Sequence, residues 1–138
     1  MNDPARILVV DDTPSNVKLL ADILSAKGYA VVTAVNGAEA LARTERDTPD
    51  LVLLDVMMPG MSGYDVCRKL RDNPATAMLP VIMVTALDPG QERVKGIEAG
   101  ADDFLTKPIH QPEILARVSS SCSALIRSSE RTRARISG

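Results

Sequence analysis

Five polar residues, of types that bind metal ions and anions, each follow a short apolar run in this sequence. Two come directly after the first run, and the others follow the third, fourth and fifth runs: Asp11, Asp12, Asp55, Thr85 and Lys107. If the runs are parallel strands, all five lie at the carboxyl edge of one sheet, where open α/β sheets bind ligands. Taken singly, each is an ordinary turn former, helix cap or surface lysine. Their shared placement favours one site.

The chemistry of this set is that of a divalent cation and a phosphoryl group. Three clustered carboxylates raise each other's pKa unless a cation neutralises them. Oxygen ligands without His or Cys suit Mg²⁺ and disfavour zinc. Lys107 can neutralise an incoming phosphoryl group, and the Thr85 hydroxyl can donate a hydrogen bond to it. A carboxylate, a metal ion and a lysine can together support an aspartyl phosphate.

The apolar runs that must position these residues predict five strands. They cover about residues 7–10, 29–34, 51–54, 81–84 and 104–105, and the second run is the weakest. Four consecutive apolar residues without alternation are typical of strands buried on both faces, as in a parallel sheet.

Stretches with helical apolar spacing separate these runs. Thr13 (followed by Pro14), Asn36 and Ser62 predict three N-caps, and Gly28 predicts the end of the first helix. The third helix should end near residues 73–74, the fourth should cover about 89–100, and the fifth should start near 111–112. Five strand–helix alternations predict a parallel sheet with helices on both faces.

Composition indicates a single globular domain and argues against binding to nucleic acid. The 138-residue chain has a formal charge of −2; residues 127–138 hold four arginines and one glutamate (+3), which leaves −5 for residues 1–126. An acidic body is a poor match for a phosphate backbone. One Phe, two Tyr and no Trp offer little for base stacking.

The two cysteines and the hydropathy pattern indicate an ordinary soluble protein. Cys67 and Cys122 lie far apart, each in an apolar helical pattern, and are predicted to be buried thiols. No apolar run approaches the roughly 20 residues that span a bilayer, and no signal peptide precedes the first run. We therefore expect a cytoplasmic location and no membrane contact.

Four stretches resemble the response regulator receiver family of two-component signalling systems, and the resemblance covers about residues 5–126. They are residues 7–12 (ILVVDD), 53–63 (LLDVMMPGMSG), 84–86 (VTA) and 100–108 (GADDFLTKP). The resemblance implies a flavodoxin-like α/β fold, doubly wound, with five helices and five parallel strands in the order 2-1-3-4-5. It implies a receiver domain over residues 1–126, with 127–138 as a basic tail or the start of a linker to an output domain.

The same resemblance implies which residues accept the phosphoryl group and hold the metal. Asp55 would be the phosphoacceptor. Asp11, Asp12, Asp55 and the backbone carbonyl of Met57 would bind Mg²⁺, and Lys107 would pair with the phosphoryl group.

The resemblance also implies which residues would respond to phosphorylation. Thr85 would swing toward the phosphoryl group, and Phe104 would be the switch aromatic that rotates inward when Thr85 moves. Together they would form a bistable element that the phosphoryl group biases. Lys107-Pro108 would be a cis peptide, and the small Ala86 would leave room for the phosphoryl group.

Three further residues near these positions carry weaker expectations. Met57 and Leu87 lie where family members tune phosphate turnover, and two apolar side chains there would hinder an attacking water. His110, the only histidine, is expected to help start the last helix rather than to donate phosphate.

The resemblance implies a regulator rather than an enzyme. A sensor histidine kinase or a phosphotransfer protein would supply the phosphoryl group. The phosphorylated domain would change the face made by the fourth helix, fifth strand and fifth helix. That change would control an output domain in the same chain or a separate partner. Family members often dimerise through this face, and a homodimer is compatible with the sequence.

Two alternatives share parts of this chemistry. An aspartate-nucleophile phosphatase of the haloacid dehalogenase class needs a second Asp two residues after the nucleophile, where this chain has Met57. A pseudo-receiver has the same fold but takes no phosphate, and such modules usually lack an acidic or lysine position that this chain retains. Magnesium-dependent incorporation of phosphate separates a receiver from a pseudo-receiver.

Overall fold

The computed structural model describes residues 4–86 and 89–121, with residues 89–93 described by their backbone alone. Strand and helix alternate as predicted. The elements are β1 (Arg6–Val10), α1 (Pro14–Ala26), β2 (Ala30–Ala34), α2 (Gly37–Asp47), β3 (Leu51–Asp55), α3 (Gly63–Asp72), β4 (Val81–Thr85), α4 (Pro89–Ala99) and β5 (Asp103–Thr106). A fifth helix, α5, occupies residues 111–121 of the described chain. No helix in these ranges is both long and apolar enough to cross a bilayer.

The five strands form one parallel sheet in the order β2-β1-β3-β4-β5, which confirms the predicted doubly wound arrangement. The chain passes from β1 outward to β2, then crosses to β3 and continues outward to β5. The winding direction therefore reverses between β1 and β3, which is the place where a ligand crevice opens at the carboxyl edge of such a sheet.

Apolar layers cover both faces of the sheet, which explains the unbroken apolar runs. In β1, Leu8 and Val10 face the layer shared with α2, α3 and α4, whereas Ile7 and Val9 face the layer shared with α1 and α5. The second strand lies at the edge of the sheet, and four of its five residues are only partly buried. That edge position accounts for its weaker apolar pattern.

The predicted helix starts are found, with one difference in how they are capped. The side-chain Oδ1 of Asn36 accepts a hydrogen bond from the Glu39 amide at 2.8 Å, and Ser62 forms a reciprocal capping box with Asp65. Thr13 occupies the N-cap of α1, but its side chain makes no capping hydrogen bond. Pro14 at the start of this helix has no amide hydrogen, so the first turn leaves one fewer donor to satisfy.

Arg71, near the end of α3, ties three segments of the chain together. Its guanidinium donates to the carbonyls of Leu79 at 2.6 Å and Gly100 at 2.9 Å. The same group pairs with the Asp102 carboxylate at 2.9 Å, and this carboxylate also accepts the Val81 amide at 2.8 Å. These bonds join α3, the start of β4 and the turn between α4 and β5.

Candidate metal and phosphoryl site

The carboxyl ends of four neighbouring strands bring the five predicted residues to one edge of the sheet. Asp11 follows β1, Asp55 ends β3, and Thr85 ends β4. The Lys107 amide, just past β5, donates to the Thr85 carbonyl at 2.8 Å. Because strands β1, β3, β4 and β5 are adjacent in the sheet, residues far apart in the chain become neighbours here.

Three carboxylates form an acidic cluster at this edge: one oxygen each from Asp11, Asp12 and Asp55 lies within 4.8 Å of the other two. Asp11 and Asp55 are buried, whereas Asp12 is exposed. The Thr13 amide donates to Oδ1 of Asp11 at 2.9 Å, and the Met57 amide donates to Oδ1 of Asp55 at 3.3 Å. The cluster offers closely spaced oxygen ligands, which a hard divalent cation prefers.

The Asp55 carboxyl lies where its negative charge is unfavourable. Burial raises its pKa to about 6 from the ordinary value of 3.8, and the negative charge of Asp11 raises it as well. The Lys107 ammonium and the Met57 amide act in the opposite direction and lower this pKa. A divalent cation among the carboxylates would favour the charged form of Asp55, because it supplies the missing positive charge.

The side chain of Lys107 reaches into the acidic cluster. Its Nζ lies 3.4 Å from Oδ2 of Asp11 and 3.6 Å from Oδ1 of Asp55. The next peptide bond, Lys107-Pro108, is cis, as expected. An ammonium in this place can balance the charge of the carboxylates and of a further anionic group beside Asp55.

The sequence of this chain matches that of a known protein family. The sequence profile described as "Response regulator receiver domain" matches residues 7–119. The chain belongs to the response regulator receiver family. Receivers act in two-component signalling, and the Asp11, Asp12 and Asp55 cluster of this receiver is typical of an Mg²⁺ site.

Two relatives show how much of a longer regulator this receiver represents. It is 57% identical over 116 residues to the response regulator PleD of Caulobacter vibrioides (strain NA1000 / CB15N), covering 84% of this chain and 26% of PleD. It is 46% identical over 125 residues to the alkaline phosphatase synthesis transcriptional regulatory protein PhoP of Bacillus subtilis (strain 168), covering 91% of this chain and 50% of PhoP. The receiver spans half or less of these curated relatives.

Solved structures share the fold of this receiver. The chemotaxis protein CheY4 of Vibrio cholerae superimposes with a TM-score of 0.82 at 30% identity, covering 86% of this chain and 98% of CheY4. The receiver domain of the sensor histidine kinase PA1611 from Pseudomonas aeruginosa PAO1 gives a TM-score of 0.81 at 28% identity, covering 87% and 98% of the two chains. That PA1611 domain has a magnesium ion coordinated in its active site cleft.

The two residues predicted to read out the site lie on neighbouring strands of the receiver. Phe104 in β5 pairs with Met83 in β4, and Thr85 pairs with Thr106. Because side chains alternate along a strand, Met83 and Thr85 point to the same face of the sheet. Phe104 packs against the apolar cluster on that face, which contains Met83. Thr85 is buried and the Phe104 side chain is half-buried.

The positions predicted to tune phosphate turnover are only partly within the described residues. Met57 lies two residues past Asp55 and is 59% exposed, so its side chain can stand at the mouth of the site. Ala86 is also exposed. Leu87 lies outside the described residues.

Gly63 supports the site, and this role was not predicted from the sequence. Its amide donates to the Val56 carbonyl at 3.0 Å. A Cβ atom on residue 63 would lie 2.9 Å from Cα of Val56 and closer still to the carbonyl oxygen of Asp55. The first turn of α3 can therefore pack beneath the carboxyl end of β3 only with glycine at this position. A glycine directly after the Ser62 N-cap was the one sequence signal available.

The remaining expectations concern residues away from the site. The His110 carbonyl accepts the Ile114 amide at 3.1 Å at the start of α5, as expected of a residue that begins this helix. Cys67 is a buried free thiol whose pKa is raised by burial, which confirms the prediction. Cys122 and the basic residues 127–138 lie outside the described residues.

Proposed function

We propose that Asp55 accepts a phosphoryl group from a phosphohistidine of a sensor histidine kinase or phosphotransfer protein. The observation that carries this proposal is the placement of Lys107 Nζ 3.6 Å from Oδ1 of Asp55, beside two further carboxylates. A nucleophilic carboxylate, a counter-charge and a set of metal ligands thus surround one point.

Transfer would proceed by attack of an Asp55 carboxylate oxygen on phosphorus. The P–O bond forms as the P–N bond of the phosphohistidine breaks, and its electron pair leaves with the histidine ring, which takes up a proton. Asp55 must be ionised to attack, and the Lys107 ammonium favours that form. Lys107 then balances the charge of the transferred group, and the Thr85 hydroxyl donates to one of its oxygens.

The donor set of the site fits Mg²⁺. Asp11, Asp12 and Asp55 would hold the ion together with the backbone carbonyl of Met57. When bound, Mg²⁺ would neutralise charge on the phosphoryl oxygens. Since Asp55 itself carries the transferred phosphoryl group until hydrolysis releases it, the domain acts as a regulator that promotes its own phosphorylation and dephosphorylation, and not as an enzyme that acts on a separate substrate.

The face made by α4, β5 and α5 is the proposed output surface. Val94 and Ile97 of α4 are apolar yet 57% and 62% exposed. Arg117 of α5 pairs with Asp103 of β5 at 3.1 Å. We infer that movement of Thr85 and Phe104 changes this surface, and that an output domain, a separate partner or a second copy of the receiver reads the change.

The domain division and location follow from the same proposal. Residues 1–126 would form the receiver, and residues 127–138 would be a basic tail or the start of a linker. The exchange with a kinase would take place in the cytoplasm. The acidic receiver would make no direct contact with nucleic acid, so any action on DNA would require another domain.

Incorporation of phosphate tests the proposal. The purified chain is incubated with acetyl phosphate, with and without Mg²⁺, and the phosphate is measured by intact mass and by lability to hydroxylamine. We expect magnesium-dependent acyl phosphate in the wild type and in the control variant Asp22→Asn, and none in Asp55→Asn. If the wild type binds Mg²⁺ but takes up no phosphate, either from acetyl phosphate or from a phosphorylated histidine kinase, the pseudo-receiver alternative would be supported.

A further inference from the structure

The ring of Phe104 lies end-on against the backbone of α4 at Gly96. A Cβ atom on residue 96 would lie 2.6 Å from Cε1 and 2.9 Å from Cε2 of this ring, and closer still to Cζ. Non-bonded carbon atoms pack at about 3.5–4.0 Å. The ring and a side chain on residue 96 therefore cannot both occupy these positions. We call this space, between Gly96 and the backbone of β5 at Phe104, the ring slot.

Hydrogen bonds fix the last turn of α4, which forms one side of the ring slot. The Ala101 amide donates to the Gly96 carbonyl at 2.9 Å, and the Gly100 amide donates to the Ile97 carbonyl at 3.0 Å. With Gly100 at φ +100°, these two bonds form a Schellman motif that begins at Gly96. Arg71 adds a hydrogen bond to the Gly100 carbonyl at 2.9 Å.

The backbone of β5 is held on the other side. Phe104 is paired with Met83 in the sheet, and the next residue, Leu105, is buried. The ring itself can turn about two side-chain torsions without disturbing these pairs. If residue 96 carried a side chain, the ring would be displaced before either backbone moved.

The ring slot also joins the phosphoryl site to the proposed output surface. Thr85 lies on the same sheet face as Phe104, and α4 begins soon after Thr85 in the chain. Gly96 is buried, but the adjacent Ile97 belongs to the exposed apolar surface of α4. Whether the ring fills the slot therefore bears directly on the helix that partners would contact.

We propose that Gly96 is a positioning residue of the switch: by lacking a side chain it provides one of the two positions between which the Phe104 ring moves. This inference rests on the proposed function in one respect, namely that phosphorylation of Asp55 moves the ring. The ring slot itself is a steric property that can be tested without phosphorylation.

A double-mutant cycle tests the slot. Alanine in place of a helical glycine ordinarily stabilises a protein. We expect Gly96→Ala to lower the midpoint of thermal unfolding in the wild-type background, and to raise it or leave it unchanged in a Phe104→Ala background. Glu98→Ala, on the exposed side of α4, is the control and should behave alike in both backgrounds. If Phe104→Ala does not fold, Phe104→Leu, which lacks Cζ, replaces it.

If Gly96→Ala stabilises the protein in the wild-type background, the steric conflict between residue 96 and the Phe104 ring is refuted. The conflict is also refuted if Gly96→Ala destabilises the protein equally with and without the Phe104 ring, or if it prevents folding in every background. In either case the ring would not be the cause of the loss of stability.

Ring signals test the role in switching. Phe104 is the only phenylalanine in the chain, so ring ¹³C-labelled phenylalanine reports on this ring alone by NMR. We expect the wild-type ring signals to move when beryllofluoride and Mg²⁺ are added. In Gly96→Ala the signals should differ from wild type from the start and move less. Its affinity for beryllofluoride should change by at least about fivefold, the lower range of allosteric couplings, whereas Glu98→Ala should match the wild type.

The outcomes separate this inference from the proposed function. Wild-type protein that binds beryllofluoride, seen at the Val56 and Lys107 amides, with an unmoved ring would overturn the positioning role and leave the phosphoacceptor proposal standing. Unchanged ring signals and affinity in Gly96→Ala would do the same. Wild-type protein that neither binds beryllofluoride nor takes phosphate would overturn the proposed function, while the mutant cycle would still decide on the slot.

Discussion

The ammonium of Lys107 lies 3.4 Å from Oδ2 of Asp11, although the two residues are 96 positions apart in the chain. The same ammonium lies 3.6 Å from Oδ1 of Asp55. It thus stands between a proposed metal ligand and the proposed phosphoacceptor, and it is half-buried. A single positive charge in this place can balance the carboxylates and, under the proposed function, the transferred phosphoryl group as well.

Lys107→Met should slow the phosphorylation of Asp55. Removal of one group that stabilises transition-state charge typically lowers a rate by about 10²–10³-fold. The variant should also raise the pKa of Asp55 further, because the lysine lowers it. Phosphorylation by acetyl phosphate at saturating Mg²⁺, followed on Phos-tag gels, gives the rate, with the exposed Lys27→Met as control. An unchanged rate would show that Lys107 is dispensable for transfer.

Asp12→Ala should weaken Mg²⁺ binding without unfolding the domain. Asp12 is the exposed member of the acidic cluster, so its removal creates no buried cavity. Loss of one carboxylate ligand should lower the affinity at least about tenfold, equivalent to about 1.4 kcal/mol. Isothermal titration calorimetry measures the affinity, and Asp22→Ala controls for the lost charge. Equal affinities in both variants would place the metal elsewhere.

Asp55→Asn should stabilise the metal-free protein at neutral pH. Because the folded-state pKa of about 6 exceeds the ordinary value of 3.8, the folded state binds this proton more tightly than the unfolded state. Stability is therefore lost as pH rises from about 4 through 6, up to roughly 3 kcal/mol at pH 7. In EDTA, Asp55→Asn should exceed the wild type in stability at pH 7, and the difference should shrink toward pH 4.

Urea unfolding across this pH range measures the effect. The control is Asp22→Asn, a substitution at an exposed position, which should follow the wild-type curve. With Mg²⁺ added, the advantage of Asp55→Asn should decrease, because a ligand that binds only the folded wild type stabilises it. A pH-independent difference would exclude ionisation of Asp55 as the cause.

Arg71→Ala should destabilise the fold while leaving the phosphoryl site intact. The guanidinium bonds to the carbonyls of Leu79 and Gly100 and to the Asp102 carboxylate are lost, together with two longer ones to the carbonyls of Thr76 and Ala77. We expect a loss of about 2–4 kcal/mol in unfolding free energy. Arg71→Lys should restore only part of it, because an ammonium cannot reproduce the planar guanidinium geometry. Arg68→Ala, at an exposed ion pair, should cost within about 0.5 kcal/mol. Similar losses at both positions would refute the anchoring role.

Met57→Gln should shorten the lifetime of the phosphorylated state. Met57 is exposed and its backbone amide donates to Asp55. An apolar side chain at this position would hinder an attacking water, whereas a glutamine amide can hydrogen-bond to that water. We expect a rise in autodephosphorylation of several-fold, measured as phosphate loss after removal of the donor. Met78→Gln, at another exposed methionine, is the control, and an equal rate in both variants would assign no shielding role to Met57.

Much of the fold was predictable because burial leaves a local mark on the sequence. The runs that became β1, β3 and β4 are apolar throughout because helices cover both faces of those strands. The second strand was predicted from Tyr29 but begins at Ala30, since an edge strand shows a weaker pattern. At Thr13 the position of the cap was predicted correctly. The Thr13 side chain, however, makes no capping hydrogen bond. Its backbone amide donates to Oδ1 of Asp11, a contact that depends on the geometry of the site.

The contributions of Gly63, Arg71 and Gly96 could not be predicted in the same way. Each depends on the distance between segments that are remote in the chain: Gly63 against Asp55, Arg71 against Gly100, and Gly96 against Phe104. A glycine or an arginine in a helix has many ordinary explanations, and only the packed neighbour shows which one applies.

The sequence by itself determined the strand–helix alternation and the residue types at the ends of the strands. Both are local: apolar periodicity reflects burial, and a polar residue directly after a buried strand must stand at its edge. Tertiary structure decided how those residues act on one another. It brought Lys107 within 3.4 Å of Asp11, and it raised the pKa of Asp55 by burying it beside a like charge. Distance and burial set these energies, and neither is defined until the chain has folded.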